Sequence, residues 1–189
     1  LIGIIFLGTF VIQFSGGAMS GVVNSTSSVL TTSYLSSEEQ LKGINQYFSG
    51  LENDLYDKIE NVESDYPGYD EYIVNQNGFI GHNVHELLSY ITARFGEVKN
   101  ISEVRGILDE LFNDMYKLSY DEEIEIRYRT VTETYTDEDG NEYTESHEEP
   151  YEYKKLIVTL DKKEMDSIIR EVFAEYPDNL KHYEALFLA

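Results

Sequence analysis

The 189-residue chain contains no cysteine, and it has few basic residues. The absence of cysteine excludes disulfide bonds, thiolate metal sites and cysteine nucleophiles from this stretch of chain. Only 14 Lys and Arg residues stand against 36 Asp and Glu residues, so the formal net charge is -22. Nucleic acid needs a basic surface that neutralises its phosphates, so we expect no nucleic-acid partner.

Charged residues are also absent from the first 37 positions, which begin with an apolar run. Residues 1–14 fall short of the roughly 20 apolar residues that a membrane-spanning helix needs. Because the chain begins with Leu1 rather than Met, we expect this run to be the remainder of a longer transmembrane anchor. The alternative is a cleaved signal peptide, with small residues for cleavage at Ala18-Met19-Ser20. Both interpretations place the residues after 38 outside the cytoplasm, and the first makes the chain a single-pass protein of the cell membrane.

The composition divides the rest of the chain into a tether and one domain. Residues 15–37 are mostly Ser, Thr, Gly and Asn, which is typical of a tether. Their first residues, Ser15-Gly16-Gly17, disfavour a third interpretation of the leader as a buried helix of a soluble core. Residues 38–189 have the length of a single extracytoplasmic domain. We expect an α+β fold that is dominated by helices, carries one long antiparallel β-hairpin and follows the hydrophobic, transmembrane segment.

The first helix is predicted over residues 38–65, where apolar residues recur at every third or fourth position. These apolar positions are Leu41, Ile44, Phe48, Leu51, Leu55, Ile59 and Val62. We expect the stripe to pack on the domain's own core. A coiled coil between two copies, which makes a homo-oligomer through residues 41–62, is the alternative.

Four shorter helices are predicted after the first one. Asn83 with Glu86 indicates one helix start, and Ser102 indicates the next. Asp161 with Glu164, and then Pro177, indicate the last two. The segment 69–83, which is rich in Asn and Gly, is predicted to be irregular.

Between residues 120 and 160 the pattern changes to strict alternation, which predicts a β-hairpin that turns at Asp139-Gly140. The arms are long enough for the hairpin to project beyond the helices. Acidic side chains along them discourage edge-to-edge aggregation. Tyrosines interleave with these charges and are the candidate partner-binding residues. They are Tyr128, Tyr135, Tyr143, Tyr151 and Tyr153.

Two groups of residues resemble metal sites, but each has a simpler interpretation. The first group is Asp137, Asp139, Asn141 and Glu142. A calcium loop needs its Gly at the sixth position, whereas Gly140 is fourth, so a hairpin turn is favoured. The second group is His82 and His85, which no third ligand cluster accompanies. We therefore expect no metal site and no cofactor.

One dipeptide resembles a catalytic site. Glu63-Ser64 is similar to the catalytic Glu-Ser of lytic transglycosylases, in which one carboxyl group acts as general acid. The Gly-Leu-Met-Gln-type stretch that follows in those enzymes is absent, and the neighbourhood is acidic. A solvated carboxylate is favoured at Glu63, and Glu52 and Asp54 are interpreted as ordinary helix surface.

Several separated segments resemble one protein family. They are residues 32–35 (TSYL), 59–72 (IENVESDYPGYDEY), 80–83 (IGHN), 86–93 (ELLSYITA) and 127–130 (RYRT). Together they are similar to the membrane-proximal region of cell-wall hydrolases encoded by conjugative transposons of Gram-positive gut bacteria. In that family a hydrophobic segment and a tether precede this region, and a CHAP or NlpC-type cysteine peptidase, sometimes with a lysozyme-like domain, follows it.

The resemblance implies a non-catalytic spacer or docking domain of a membrane-anchored peptidoglycan hydrolase that acts in conjugative transfer. It implies conjugation-channel proteins or peptidoglycan as partners, and none of the family's catalytic residues matches a position of this chain. The alternative function is a stand-alone assembly component of a type IV secretion-like channel. A weaker alternative is a lytic transglycosylase that uses Glu63.

Overall fold

The computed structural model describes the backbone of residues 9–13, and the backbone and side chains of residues 34–188. This described part contains six α-helices and four strands. They are β1 (Thr9–Gln13), α1 (Glu38–Glu60), α2 (Val62–Asp65), β2 (Glu71–Asn77), α3 (Val84–Phe95), α4 (Arg105–Met115), β3 (Tyr116–Thr136), β4 (Glu142–Lys162), α5 (Met165–Val172) and α6 (Pro177–Phe187). A 3-10 turn over Ile101–Glu103 precedes α4. The mixture of helices and sheet confirms the α+β class.

The four strands form one sheet in the order β1-β2-β4-β3, so β4 is flanked on both sides. β3 and β4 are antiparallel and keep one register from Tyr116↔Lys162 to Thr136↔Glu142. This pairing is the predicted hairpin. β2 pairs in parallel with only the last third of β4, from Lys155 to Asp161.

The strand β2 corrects the prediction that residues 69–83 are irregular. Tyr72 and Val74 alternate with half-buried residues, which is the pattern of a strand with one covered face. The Asn and Gly residues of this segment hid that alternation. The partner of β2 is β4, which lies about 84 residues further along the chain. One hydrogen bond over this separation is donated by the Asp70 N–H to the Lys154 carbonyl (2.8 Å). A pairing of this kind leaves no local signal in the sequence.

The helices cover one face of the sheet and enclose the core. The core residues contributed by the strands are Tyr72, Val74, Tyr116, Leu156, Val158 and Leu160. α1 contributes Leu41, Ile44, Phe48, Leu55 and Ile59 to the same cluster. The apolar stripe of α1 thus packs on the domain's own core, as expected, although Glu52 is buried on that stripe while Leu51 is only half-buried. The alternative homo-oligomer through residues 41–62 stays a prediction.

Three of the five predicted helix starts are confirmed, two by side-chain caps and that of α6 by Pro177 in its first turn. The Ser37 hydroxyl accepts the Gln40 N–H (3.4 Å), and Asn83 Oδ1 accepts the N–H groups of His85 (2.9 Å) and Glu86 (3.4 Å). Three boundaries are wrong. Ser102 lies within the 3-10 turn, which Asn100 caps, and α4 begins only at Arg105. The first helix ends at Glu60 rather than continuing to residue 65, because Asn61 leaves the helical conformation before α2 begins. Asp161 belongs to β4, and α5 begins after Glu164, which makes no side-chain cap.

The predicted leader and tether fall mostly outside the described residues. Residues 9–13 of the leader form β1, which pairs in parallel with β2 at the edge of the sheet. Two residues at the end of the predicted tether are buried. Tyr34 is in the core, and the Ser36 hydroxyl accepts the Val98 N–H (2.8 Å). Among the helices that the structure describes, none has both the length and the apolar character needed to cross a membrane.

Candidate functional site: the projecting ribbon

The outer part of the β3–β4 hairpin extends beyond the body of the domain. We call it the distal ribbon, and it consists of residues 124–136 of β3, residues 142–154 of β4 and the turn between them. Beyond Lys155, β4 no longer pairs with β2. None of the residues from 121 to 155 is buried. At a strand rise of about 3.4 Å per residue, the distal ribbon is about 40 Å long.

The turn of the ribbon is closed by Asp137. Its carboxylate accepts the backbone N–H groups of Asn141 (2.7 Å) and Asp139 (3.0 Å) and the side-chain amide of Asn141 (3.1 Å). These N–H groups lower the pKa of the Asp137 carboxyl. Gly140 has a φ of 85°, which suits a glycine in a hairpin turn. The turn interpretation is confirmed, and the carboxylate that a calcium loop needs is already bound to the backbone.

The two faces of the ribbon carry different side chains, because neighbours on a strand point to opposite faces and cross-strand partners share one. Even-numbered residues of both strands share the face that is buried in the body, where Leu118 is opposite Leu160. We call this the stripe face, after the apolar stripe formed by Ile124, Ile126 and Tyr128. We call the opposite face, formed by odd-numbered residues, the tyrosine face.

The structure does not bring the five predicted tyrosines together. Tyr135, Tyr143, Tyr151 and Tyr153 lie on the tyrosine face, whereas Tyr128 lies on the stripe face. The alternation in the sequence already contained part of this result, since Tyr128 and Tyr135 are an odd number of residues apart on one strand. The proposed contact surface of five tyrosines is therefore two separate surfaces.

The side chains of the tyrosine face largely bind one another. The guanidinium carbon of Arg127 lies 3.3 Å from the centre of the Tyr153 ring, and Arg127 also pairs with Glu125 (2.8 Å). Lys155 donates to Glu125 as well, and these two cations lower the pKa of the Glu125 carboxyl. Nearer the turn, the rings of Tyr135 and Tyr143 stack with their centres 5.7 Å apart.

The stripe face carries the largest apolar exposure of the ribbon. The exposed fractions are 48% for Ile124, 60% for Ile126 and 66% for Tyr128. Pro150 is opposite Tyr128. Towards the body, the exposed Glu122 separates the stripe from Tyr120, whose ring centre lies 4.8 Å from that of Tyr66. A contiguous exposed apolar surface on a soluble domain is typical of an interaction site.

A second notable group of polar residues lies inside the body, around Glu52. Glu52 is 7% exposed, and its two carboxylate oxygens accept from the Tyr116 hydroxyl (2.9 Å) and from His82 Nδ1 (2.8 Å). His82 Nε2 lies 2.9 Å from Asn45 Oδ1. The interpretation of Glu52 as ordinary helix surface is wrong. Its position between apolar residues at three- and four-residue spacings was the signal that could have shown this.

The loop of residues 78–83 lies next to the polar group around Glu52, and Lys162 also contacts this loop. The Lys162 ammonium donates to the Gly81 carbonyl (2.8 Å) and lies 3.8 Å from the centre of the Phe79 ring. Burial lowers the pKa of Lys162, while burial and the charge of Glu52 raise the pKa of the Tyr116 hydroxyl. Each of these polar groups has a hydrogen-bond partner within the protein. The group therefore holds the 78–83 loop against α1 and the sheet.

The remaining candidate residues are not assembled into a site. Glu63 is exposed on α2, and the Ser64 hydroxyl donates to the Asn61 carbonyl (3.1 Å). His82 is committed to Glu52 and Asn45, whereas His85 is an exposed residue whose Nδ1 lies 3.4 Å from the Tyr34 hydroxyl. Within residues 34–188, no group of three or more His, Asp or Glu side chains is arranged to hold a metal ion.

We compared the chain with protein-family models, with curated proteins and with solved structures, and none of the three comparisons finds a match.

Proposed function

We propose that this chain is a non-catalytic, extracytoplasmic docking domain of a membrane-anchored peptidoglycan hydrolase that acts in conjugative transfer, and that its distal ribbon is the docking element. The observation that carries the docking role is the ribbon itself. It presents two faces to solvent over about 40 Å and contributes nothing to the buried core. A two-stranded ribbon is marginal in stability by itself, so its length has no explanation in the stability of the fold.

The other parts of the proposal have separate support. The cell-wall and conjugation context follows from the resemblance of residues 59–72, 80–83 and 86–93 to the hydrolase family. Attachment to the membrane follows from the apolar run at residues 1–14. The acidic composition suits a domain that stays in solution near anionic surfaces, which repel it.

The docking role is tested by removing the distal ribbon without disturbing the body. Residues 126–152 are replaced by Asn-Gly, so that the pair Glu125↔Tyr153 flanks a two-residue turn. We expect the melting temperature to stay the same, because no residue in the deleted segment is buried. We expect the frequency of conjugative transfer to fall when the parent protein carries this deletion. Normal transfer with a correctly folded, ribbon-less protein contradicts the docking role.

The absence of catalysis is tested on purified peptidoglycan. We expect the 189-residue chain to release neither muropeptides nor reducing ends. A general acid is usually held in an apolar setting that favours its protonated form, whereas Glu63 is exposed to solvent. Hydrolysis that disappears in Glu63→Gln would replace the docking proposal by the lytic transglycosylase.

Membrane attachment is tested by cell fractionation in a Gram-positive host. Residues 9–13 pair with β2 as β1 in the isolated chain. Insertion of the leader into a bilayer requires these residues to leave the edge of the sheet. We expect the full-length protein in the membrane fraction, with residues after 38 accessible to protease on protoplasts. A soluble secreted form that starts near Gly21 shows that the leader is a signal peptide cleaved after Ser20.

The alternative of a stand-alone channel component is separated from the hydrolase by the coding sequence downstream of Ala189. A peptidase domain that contains a catalytic Cys supports the hydrolase. A stop codon supports the channel component. The docking role of the ribbon is common to both.

A further inference from the structure

The outer edge of β3 is a second feature of the ribbon with a specific use. β3 is the last strand of the sheet, and in the part of the chain that the structure describes no other strand pairs with its outer side. Its 21 residues contain no proline. Soluble proteins usually interrupt or cover an edge of this length, since its free N–H and C=O groups pair readily with another strand.

Hydrogen-bonded and non-hydrogen-bonded residue pairs alternate along the hairpin, and this alternation shows which residues of β3 have free N–H and C=O groups. The Lys163 N–H donates to the Met115 carbonyl (2.8 Å), and at the other end the Asp137 N–H donates to the Asn141 carbonyl (2.9 Å). In an antiparallel ladder, hydrogen-bonded pairs alternate with pairs whose N–H and C=O groups point away. Because the register does not slip, odd-numbered residues of β3 bond to β4, and even-numbered residues direct their N–H and C=O groups to the outer edge.

The same alternation shows that the two edges of the ribbon differ in their outward N–H donors. On β4 the outward groups also belong to even-numbered residues, since the Lys154 carbonyl accepts the Asp70 N–H. Pro150 is one of these residues and has no N–H to donate. A strand that approaches the ribbon therefore meets an interrupted row of donors on β4 and an unbroken row on β3.

On β3, the residues with outward backbone groups also form the apolar stripe. Ile124, Ile126 and Tyr128 are even-numbered, so an added strand pairs with the residues whose side chains form the stripe. Alternate side chains of that strand then lie beside the stripe on the same face. One partner can thus satisfy the free backbone groups and cover the exposed apolar surface together.

The charge of the ribbon defines the chemistry of the partner. Residues 121–155 contain thirteen acidic and four basic side chains. A second copy of this chain brings the same excess of negative charge, which opposes pairing between copies. A basic strand is attracted by the same field.

We propose that an extended basic segment of a partner protein, in which apolar and basic residues alternate, adds as a strand to the outer edge of β3 beside Ile124, Ile126 and Tyr128. This inference rests on the proposed docking function and specifies its geometry and its partner. The mode is strand addition, in which backbone hydrogen bonds supply affinity and alternate side chains supply specificity.

The first experiment measures binding of a synthetic probe to the full chain. The probe is an eight-residue peptide that alternates Lys or Arg with Val or Phe. Its controls are a scrambled peptide of the same composition and a peptide with Glu in place of the basic residues. We expect only the alternating basic peptide to bind, with an affinity that falls as salt is added. Equal binding of the scrambled peptide overturns strand addition.

Amide hydrogen exchange by NMR gives a readout that simple surface binding does not produce. In the free protein we expect the odd-numbered amides of β3 to be protected by β4 and those of residues 124, 126 and 128 to exchange quickly. The alternating peptide should slow exchange at these even-numbered amides. Protection without this even–odd pattern contradicts the proposal.

Proline substitutions test the edge directly. Thr130→Pro removes an outward N–H of β3 next to the stripe, and we expect peptide affinity to fall roughly tenfold. Thr144→Pro is the matched control, because it removes an outward N–H from the β4 edge and should leave affinity unchanged. Ile126→Lys changes the stripe without changing the backbone and should weaken binding of the basic peptide. Unchanged melting temperatures confirm that each variant is folded.

These results are distinguishable from failure of the docking function itself. If the 126–152 deletion lowers transfer while Thr130→Pro binds the peptide normally, docking stands and strand addition is wrong. If the peptide protects the even-numbered amides but the deletion leaves transfer normal, the edge binds strands and the proposed function is wrong.

Discussion

The body of the domain and the distal ribbon both contain glutamates bound to cationic or polar partners, but in opposite surroundings. Glu52 is 7% exposed and lies between Tyr116 and His82. Glu125 has partners at similar distance, Arg127 and Lys155, but 37% of its side chain is exposed. The partners of both glutamates lie within hydrogen-bond distance, but the two groups differ strongly in burial.

This difference decides how much each glutamate matters to stability. Removing one member of a buried group leaves the others without partners in a medium that cannot hydrate them. Removing one member of an exposed pair lets water take its place, so the free energy changes little. The body is therefore sensitive to single polar changes, whereas the ribbon tolerates them and can vary its surface for binding.

The largest expected effect is that of Glu52→Ala. The substitution removes the acceptor of His82 Nδ1 and one of the two acceptors of the Tyr116 hydroxyl, whose other acceptor is the Gly81 carbonyl (3.1 Å). We expect the free energy of unfolding to fall by about 3 kcal/mol, the upper end of the cost of a buried donor left without its partner. Chemical denaturation measures it. Glu125→Ala is the matched control, and its denaturation midpoint should equal that of the wild type. Equal effects of the two substitutions contradict the comparison.

Two glycines with positive φ give the next largest contrast. Gly78, next to the body, has a φ of 114°, and a Cβ atom there would lie 2.9 Å from Lys162 Cβ. Gly140 in the ribbon turn has a φ of 85°, with nothing within 4 Å of the added atom. Both alanine variants carry backbone strain of about 1–2 kcal/mol. Gly78→Ala should lose more stability than Gly140→Ala, since only the former also forces atoms apart. An equal loss shows that backbone strain alone is responsible.

The body should also respond to pH through Glu86. Burial raises the pKa of this carboxyl, which accepts the Tyr183 hydroxyl at 3.3 Å. Between the unfolded pKa of about 4.3 and the higher folded pKa, the folded state holds a proton that the unfolded state lacks. The stability contributed by protonated Glu86 is therefore complete below the unfolded pKa and is lost as the pH rises through the folded pKa.

Glu86→Gln keeps an oxygen acceptor for Tyr183 and removes this titration. We expect the variant to be more stable than the wild type at pH 7 and to lose that advantage as the pH approaches 4. Thermal melts across this range provide the measurement. Parallel stability curves for the two proteins are the outcome that contradicts the assignment.

The smallest expected effect on stability is that of the ribbon tip. Replacing residues 136–142 by Asn-Gly leaves the pair Tyr135↔Tyr143 beside a two-residue turn. We expect an unchanged melting temperature, because every replaced residue is exposed. We also expect the tip to contribute to docking, so transfer should fall. If transfer stays at its normal frequency, the tip is only a turn and the prediction that it contributes to docking is wrong.

The sequence predicted the elements whose signals are local. The three- and four-residue spacing from Leu41 to Ile59 predicted α1 and its buried face. Asp139-Gly140 predicted the turn, and the turn sets the register of the whole hairpin. The five tyrosines were named correctly as ribbon residues, but their distribution over two faces follows only when the alternation is combined with the register.

The errors at β2 and at Glu52 share one physical cause, which is dependence on distant parts of the chain. β2 exists because β4 supplies the other half of its hydrogen bonds. Glu52 is buried because Tyr116 and His82, 64 and 30 residues away, provide donors for its carboxylate. A carboxylate on an apolar helix face is expected to avoid the core unless such partners are present, and a local pattern cannot show them.

By itself the sequence determined the net charge, the amphipathic helices and the hairpin with its turn, because each depends on residues that are neighbours along the chain. The tertiary structure decided how far the sheet covers the hairpin. β2 begins only at Glu71, opposite Lys155, and the helices cover only the inner part of β3 and β4. Residues of one continuous alternating pattern thus become core at Leu156 to Leu160 and exposed stripe at Ile124 to Tyr128. Which of them are buried depends on what packs against them, and that is set by contacts between distant segments.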